Sequence, residues 1–67
     1  MSIKATLRGK EWWGTVFDDG YVIITDDSGR IISMHREQMN ADEVIKFYLA
    51  DGWRVSGATA PKRKEEL

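Results

Sequence analysis

The segment EWWGTVFDDGYVIIT, Glu11–Thr25, decides the fold. Asp19 and Gly20 lie between two apolar runs, and this arrangement is the strongest short signal for a β-hairpin because glycine accepts a positive φ. Both runs are rich in β-branched and aromatic residues, which favour strands. Successive residues of a strand point to opposite faces, so we expect the neighbours Trp12 and Trp13 to lie on different faces of the sheet.

Strands are also predicted on both sides of this hairpin. Alternation of apolar and polar residues predicts a strand, or an extended arm, over Ser2–Arg8. After the turn residues Asp26–Gly29, Arg30–His35 continues the meander as a further strand. A last strand is predicted over Trp53–Thr59, with Trp53 and Val55 on one side.

One helix is predicted between the last two strands, over Ala41–Asp51. Asn40 is suited to be its N-cap, and Glu43 completes a capping-box pattern. Gly52 is suited to the left-handed conformation that ends many helices. The helix has one apolar stripe, formed by Val44, Ile45, Tyr48 and Leu49. Because it is too short to be stable alone, it must pack on the sheet.

The sequence therefore predicts a small two-layer α+β domain over residues 1–60. Its antiparallel sheet has three to four strands, and one helix packs on one face. Regular structure stops at Pro61, and residues 61–67 are predicted to form a charged, flexible tail.

Two-residue hairpin loops, Asp19-Gly20 and Ser28-Gly29, would fix which residues share a face, because directly opposed residues lie on the same side. The first face would hold Trp12, Val16, Tyr21, Ile23, Ile32 and Met34, and we expect it to form the core beneath the helix. The second face would hold Trp13, Thr15, Phe17, Val22, Ile24, Ile31, Ser33 and His35. A slip of one residue would exchange these sets.

Composition excludes several classes of function. The 67 residues contain no cysteine and one histidine, so disulfides and thiolate metal sites are excluded. The net charge of −1 gives no bulk attraction to nucleic acid or an anionic membrane. The apolar runs are much shorter than the ~20 residues of a membrane span. We therefore expect a soluble cytoplasmic protein without a metal or cofactor.

No catalytic arrangement is evident in the sequence. Ser33 and His35 share a face, but nothing nearby builds an oxyanion hole or a pocket. The acidic pairs Asp18-Asp19 and Asp26-Asp27 fall in separate turns, where turn chemistry explains them. We therefore predict a non-enzymatic protein.

The second face predicts an interaction site, because a large exposed apolar patch usually marks one. We expect Trp13 and Phe17 to anchor a protein partner, since aromatic residues are frequent binding hot spots. The basic residues Arg54, Lys62 and Arg63 would steer the association. Alternatively, the N-terminal strand or the tail covers this face, or a bulge redirects one tryptophan.

Two further functions fit the same features. Aromatic residues on a sheet with basic termini are typical of single-stranded nucleic-acid binding, and Lys4, Arg8 and Lys10 precede the hairpin while residues 62–64 follow the last strand. A homodimer through the second face would leave no need for another partner.

Four short motifs extend over nearly the whole chain: Lys10-Glu11-Trp12-Trp13-Gly14-Thr15-Val16, Ala41-Asp42-Glu43, Gly52-Trp53-Arg54-Val55 and Ala60-Pro61-Lys62. In these motifs and their order, the chain resembles a family of small phage early proteins that inhibit bacterial RNA polymerase. The C-terminal part of the chain, in which a predicted helix is followed by a glycine, a tryptophan and a strand, also resembles short bacterial proteins of unknown function.

This resemblance implies a non-enzymatic protein that binds the largest polymerase subunit near the downstream DNA channel and blocks promoter opening. The family carries two basic contact residues in its final strand, and the matching positions here are Gly57 and Thr59. Basic charge lies instead at Arg54 and at residues 62–64, so a polymerase contact would use a shifted surface.

Overall fold

The fold was obtained as a computed structural model, which describes residues 2–61. Its elements follow the order ββββαβ: β1 Ile3–Arg8, β2 Trp12–Phe17, β3 Tyr21–Asp26, β4 Ile31–Arg36, α1 Ala41–Ala50 and β5 Arg54–Val55. All neighbouring strands are antiparallel, in the spatial order β4-β3-β2-β1-β5. The predicted α+β class is confirmed, with five strands rather than three to four.

The first hairpin has a three-residue loop, so the predicted two-residue loop is wrong. The Gly20 N–H donates to the Phe17 carbonyl at 3.0 Å, and Gly20 has a φ of 89°. The Asp19 carboxylate accepts the N–H of Tyr21 at 3.1 Å, which stabilises the longer loop. As a result, Val16 rather than Phe17 lies opposite Val22.

This one-residue difference moves the residues of β3 to the opposite faces from those predicted. The core consists of Leu7, Val16, Val22, Ile24, Ala41 and Val44. The prediction is right for Val16 and wrong for Tyr21 and Ile23, which lie on the face away from the helix.

The second hairpin also has a three-residue loop, followed by a bulge in β4. The Asp26 N–H donates to the Arg30 carbonyl at 2.9 Å, so the predicted pair of Asp27 with Arg30 is wrong. Thr25 lies opposite Ile31 and not Ile32, which is the extra residue of the bulge. The bulge restores the predicted pair of Ile23 with Met34, on the face away from the helix.

Helix α1 has the predicted caps. The Asn40 side chain accepts the Glu43 N–H at 3.0 Å, and Gly52 follows the helix with a φ of 100°. The helix packs mainly on β1, β2 and β5. The side of β3 and β4 that faces the helix layer is therefore less completely covered.

Strand β5 is shorter than predicted, because only Arg54 and Val55 pair with β1. Trp53 precedes the strand and packs over two glycines of the sheet. A Cβ atom at Gly9 would lie 3.1 Å from the indole of Trp53, and one at Gly14 would lie 3.2 Å from it. The absence of side chains at these glycines thus makes room for Trp53.

Candidate functional site

Two surfaces of the domain carry exposed or half-buried aromatic residues. We call the sheet face away from the helix the open face; its aromatic residues are Trp13, Phe17 and Tyr21. We call the hollow between the helix and the β3–β4 side of the sheet the helix-side groove; it is lined by Trp12, Ile24, Ile32, Ser33, Phe47, Tyr48, Asp51 and Trp53.

On the open face, Trp13 is held by an arginine and an aspartate. The Arg8 guanidinium lies over the indole, with its Cζ 4.8 Å from the ring centroid. Arg8 Nη1 donates to Asp27 Oδ1 at 2.7 Å, and Trp13 Nε1 donates to the same oxygen at 3.0 Å. The hydrogen bond from Arg8 and, secondarily, that from Trp13 lower the pKa of Asp27. We call these three residues the Trp13 cluster.

A second group of residues at the other end of the open face makes the same kinds of contact: an arginine lies over an aromatic ring and binds an aspartate. Arg36 Cζ lies 5.5 Å from the ring centroid of Tyr21, and Arg36 Nη1 donates to Asp19 Oδ2 at 2.7 Å. This bond from Arg36 is the main reason why the pKa of Asp19 is lowered. Phe17 packs beside Tyr21, with a centroid distance of 6.1 Å. We call Arg36, Tyr21 and Asp19 the Tyr21 cluster.

Between these clusters the open face has a cleft of about 390 Å³. Its walls include Phe17, Ile23 and Ile31 on the sheet and the segment 59–61 above them. Residues 59–61, at the end of the described chain, therefore line this face. The buried Thr25 hydroxyl at the cleft has no hydrogen-bond partner within residues 2–61.

The structure places three of the five predicted partner-binding residues on the open face. Arg54 lies opposite Arg8, and Arg8 lies opposite Trp13, so these residues form one row across β5, β1 and β2. Phe17 lies at the other end of β2. Lys62 and Arg63 lie outside the described residues, as does most of the predicted tail.

The helix-side groove has a volume of about 310 Å³ and the more exposed aromatic side chains. Trp12 is 43% exposed and Phe47 is 58% exposed, whereas Trp13 is half-buried. Ile32, which the bulge places beside them, is 44% exposed. Trp53 forms an inner wall and contacts Tyr48 edge to face, with a centroid distance of 5.1 Å.

The charged residue in the described lining of the helix-side groove is acidic. Asp51 lies at the C-terminal end of α1, where the helix dipole is also negative, and the last turn of the helix has no basic residue. Burial raises the pKa of Tyr48, and the charges of Glu37 and Asp51 raise it further. Carboxylates thus act on the groove without a lining basic residue to offset them among those described.

Sequence reasoning missed the groove because its residues come from distant segments. Trp12 was predicted to be core, but it lies at the end of β2, beyond the cover of the helix. Phe47 falls among the stripe residues in sequence but does not belong to the apolar stripe of the helix, and this position indicates that its side chain is exposed. Ile32 reaches the groove through a bulge that the hairpin pattern did not predict.

The polar residues considered for catalysis form a short chain of contacts. Ser33 Oγ lies 3.3 Å from His35 Nδ1, and His35 Nε2 lies 3.7 Å from a carboxylate oxygen of Glu37. Within residues 2–61, no group of three or more His, Cys, Asp or Glu side chains is arranged to hold a metal ion. In the same range, the structure has no helix with the length and apolarity needed to cross a membrane.

Comparison with models of known protein families found no match to this chain, and searches of curated proteins and of solved structures found no significant match either.

Proposed function

We propose that this protein is a non-enzymatic regulator that binds a protein partner through the helix-side groove. The observation that supports this function best is the convergence of Trp12, Ile32 and Phe47, each more than 40% exposed, around one hollow. Exposed apolar side chains grouped around a concave surface are typical of interaction sites. Trp is also among the residues most often found at binding hot spots.

The groove is a better binding surface than the open face because two of its aromatic side chains, Trp12 and Phe47, are exposed and have no arginine over them among the described contacts. On the open face, Arg8 covers Trp13 and Arg36 lies over Tyr21. A partner that stacked on those rings would first have to displace an arginine from its aspartate. Phe47 and Trp12 require no such exchange among the contacts of the described chain.

Bacterial RNA polymerase is the partner that we propose first, on the basis of the resemblance to the phage inhibitors. Two of the motifs that carry the resemblance supply groove residues, Trp12 from the β2 motif and Trp53 from the motif that follows the helix. The proposed regulator would act by occupying a surface of the enzyme and preventing promoter opening.

Binding of the full chain to purified bacterial core polymerase tests this identity. The proposal predicts saturable binding, and it predicts inhibition of open-complex formation at a strong promoter by the same concentrations of protein. Phe47→Ala should weaken both effects at least about tenfold, which corresponds to ~1.4 kcal/mol. Absence of binding at micromolar concentrations would exclude the polymerase as the partner.

A further inference from the structure

We propose that the helix-side groove binds the cationic side chain of an arginine or lysine in the protein partner. This inference rests on the proposed function and adds the chemistry of the group that the groove recognises. It depends on three features of the groove: aromatic rings, a carboxylate, and the absence of a lining cation among the described residues.

The first feature is a wall of aromatic rings. Trp12, Phe47 and Trp53 line the groove together with Tyr48, so four rings border a volume of about 310 Å³. The face of an aromatic ring attracts a cation, and indole is the strongest of the natural rings in this respect. The volume lies at the lower end of the range for ligand pockets, which suits one long side chain.

The second feature is the unbalanced negative charge. Asp51 is the one charged side chain among the described residues that line the groove. It lies at the negative end of the helix dipole, in a position where a cation is favoured. The adjoining hollow, lined by Lys10, Glu11 and Asp51 among others, adds one base and one further acid.

The third feature is the absence of a cation from the described lining of the groove, although the domain combines an arginine, an aromatic ring and an aspartate twice elsewhere. The Trp13 cluster and the Tyr21 cluster each consist of an arginine over an aromatic ring and an aspartate that binds the guanidinium. The groove offers aromatic rings and Asp51, but its described lining contains no arginine or lysine. A guanidinium or ammonium group from a partner would complete a third set of the same kind.

Titration of the labelled protein with a short peptide tests this inference by NMR. The probe is the blocked pentapeptide Gly-Gly-Arg-Gly-Gly, and the matched probe carries citrulline, a neutral isostere, in place of arginine. The indole N–H signals of Trp12 and Trp53 report on the groove. The indole signal of Trp13, on the open face, is an internal reference.

We expect the arginine peptide to shift the Trp12 and Trp53 signals in a saturable manner, with affinity about fivefold higher than the citrulline peptide. Asp51→Asn should remove most of this preference. Asp42→Asn, a matched change near the N-terminal end of the same helix, should leave it intact.

Equal binding of the two peptides would overturn the inference but leave the groove as a protein-binding surface. A lack of response to either peptide at 10 mM, or a response confined to Trp13, would also overturn it. These outcomes differ from a failure of the proposed function, which would show as a partner contact elsewhere on the domain.

Discussion

At the residue scale, the adjacent residues Trp12 and Trp13 have different structural roles. Their placement on opposite faces could be predicted from strand geometry and is confirmed. Their relative exposure could not be predicted, because the arginine over Trp13 is held there by a residue distant in sequence. Asp27 is 14 residues away, and it is Asp27 that fixes Arg8 over the indole. Within residues 2–61, Trp12 has no such cover and faces the groove.

The two clusters predict separable effects on carboxylate pKa values. Arg8→Gln should raise the pKa of Asp27 toward 3.8 and leave that of Asp19 unchanged, because Arg36 holds Asp19. Arg36→Gln should do the reverse, so each variant is the control for the other. NMR titration of the side-chain carboxyl carbons measures both values. A common change of both pKa values in either variant would contradict the assignment of the clusters.

The same shifts fix the direction of the acid dependence of stability. A carboxyl whose pKa is lower in the folded state stabilises the fold fully above its unfolded pKa, near 3.8. The contribution is lost as the pH falls through the folded value. Asp27→Asn should therefore flatten the decrease in the free energy of unfolding below about pH 4.

Substitution of Gly14 tests how closely Trp53 packs on the sheet. Gly14→Ala would place a methyl group 3.2 Å from the Trp53 ring and 3.5 Å from Ile24, so we expect a loss of about 1 kcal/mol in the free energy of unfolding. Gly57→Ala is the matched control, because its Cβ would meet nothing within 4 Å. Urea denaturation measures both variants. A neutral or stabilising effect of Gly14→Ala would show that Trp53 can move away.

At the scale of elements, the strands and the helix could be predicted from sequence, but the registers could not. Periodicity and turn residues located every element, with β5 the largest error in length. The register depends on whether a loop has two or three residues, and Asp18-Asp19-Gly20 suits either choice. Contacts within the folded loop decide between them. The error reversed the orientation of Val22 and Ile24, and with it the assignment of the core.

The N-cap of the helix, Asn40, is predicted by the sequence and confirmed by the structure. Asn40→Ala removes the acceptor for the Glu43 N–H and should lower the free energy of unfolding by about 1 kcal/mol. Asn40→Asp retains an acceptor at this position and should have little effect. Thermal denaturation followed by circular dichroism would compare the two. Equal melting temperatures for all three proteins would show that the cap contributes nothing.

At the scale of the whole molecule, the off-centre position of the helix creates the groove. The helix links β4 on one edge to β5 on the other, and it packs mainly above β1 and β2. The side of β3 and β4 that faces the helix layer is thus left open beside Phe47. This arrangement depends on strand order and helix placement together, so a reading of separate motifs did not predict the groove.

The prediction of a site on the open face depends on the presence of apolar residues on both faces of the sheet. A domain with one core and apolar residues on both sheet faces must leave one set less covered, and the structure has such a set. Arginines and the segment 59–61 cover part of this face.

Site-specific photo-crosslinking in bacterial lysate tests most directly whether the partner binds at the groove. Phe47, 58% exposed in the groove, and Met34, 54% exposed on the open face, would each be replaced by p-benzoylphenylalanine. These sites match in exposure, so both variants should fold. We predict a discrete crosslinked partner from position 47 and none from position 34. A partner crosslinked from position 34 alone would contradict the account.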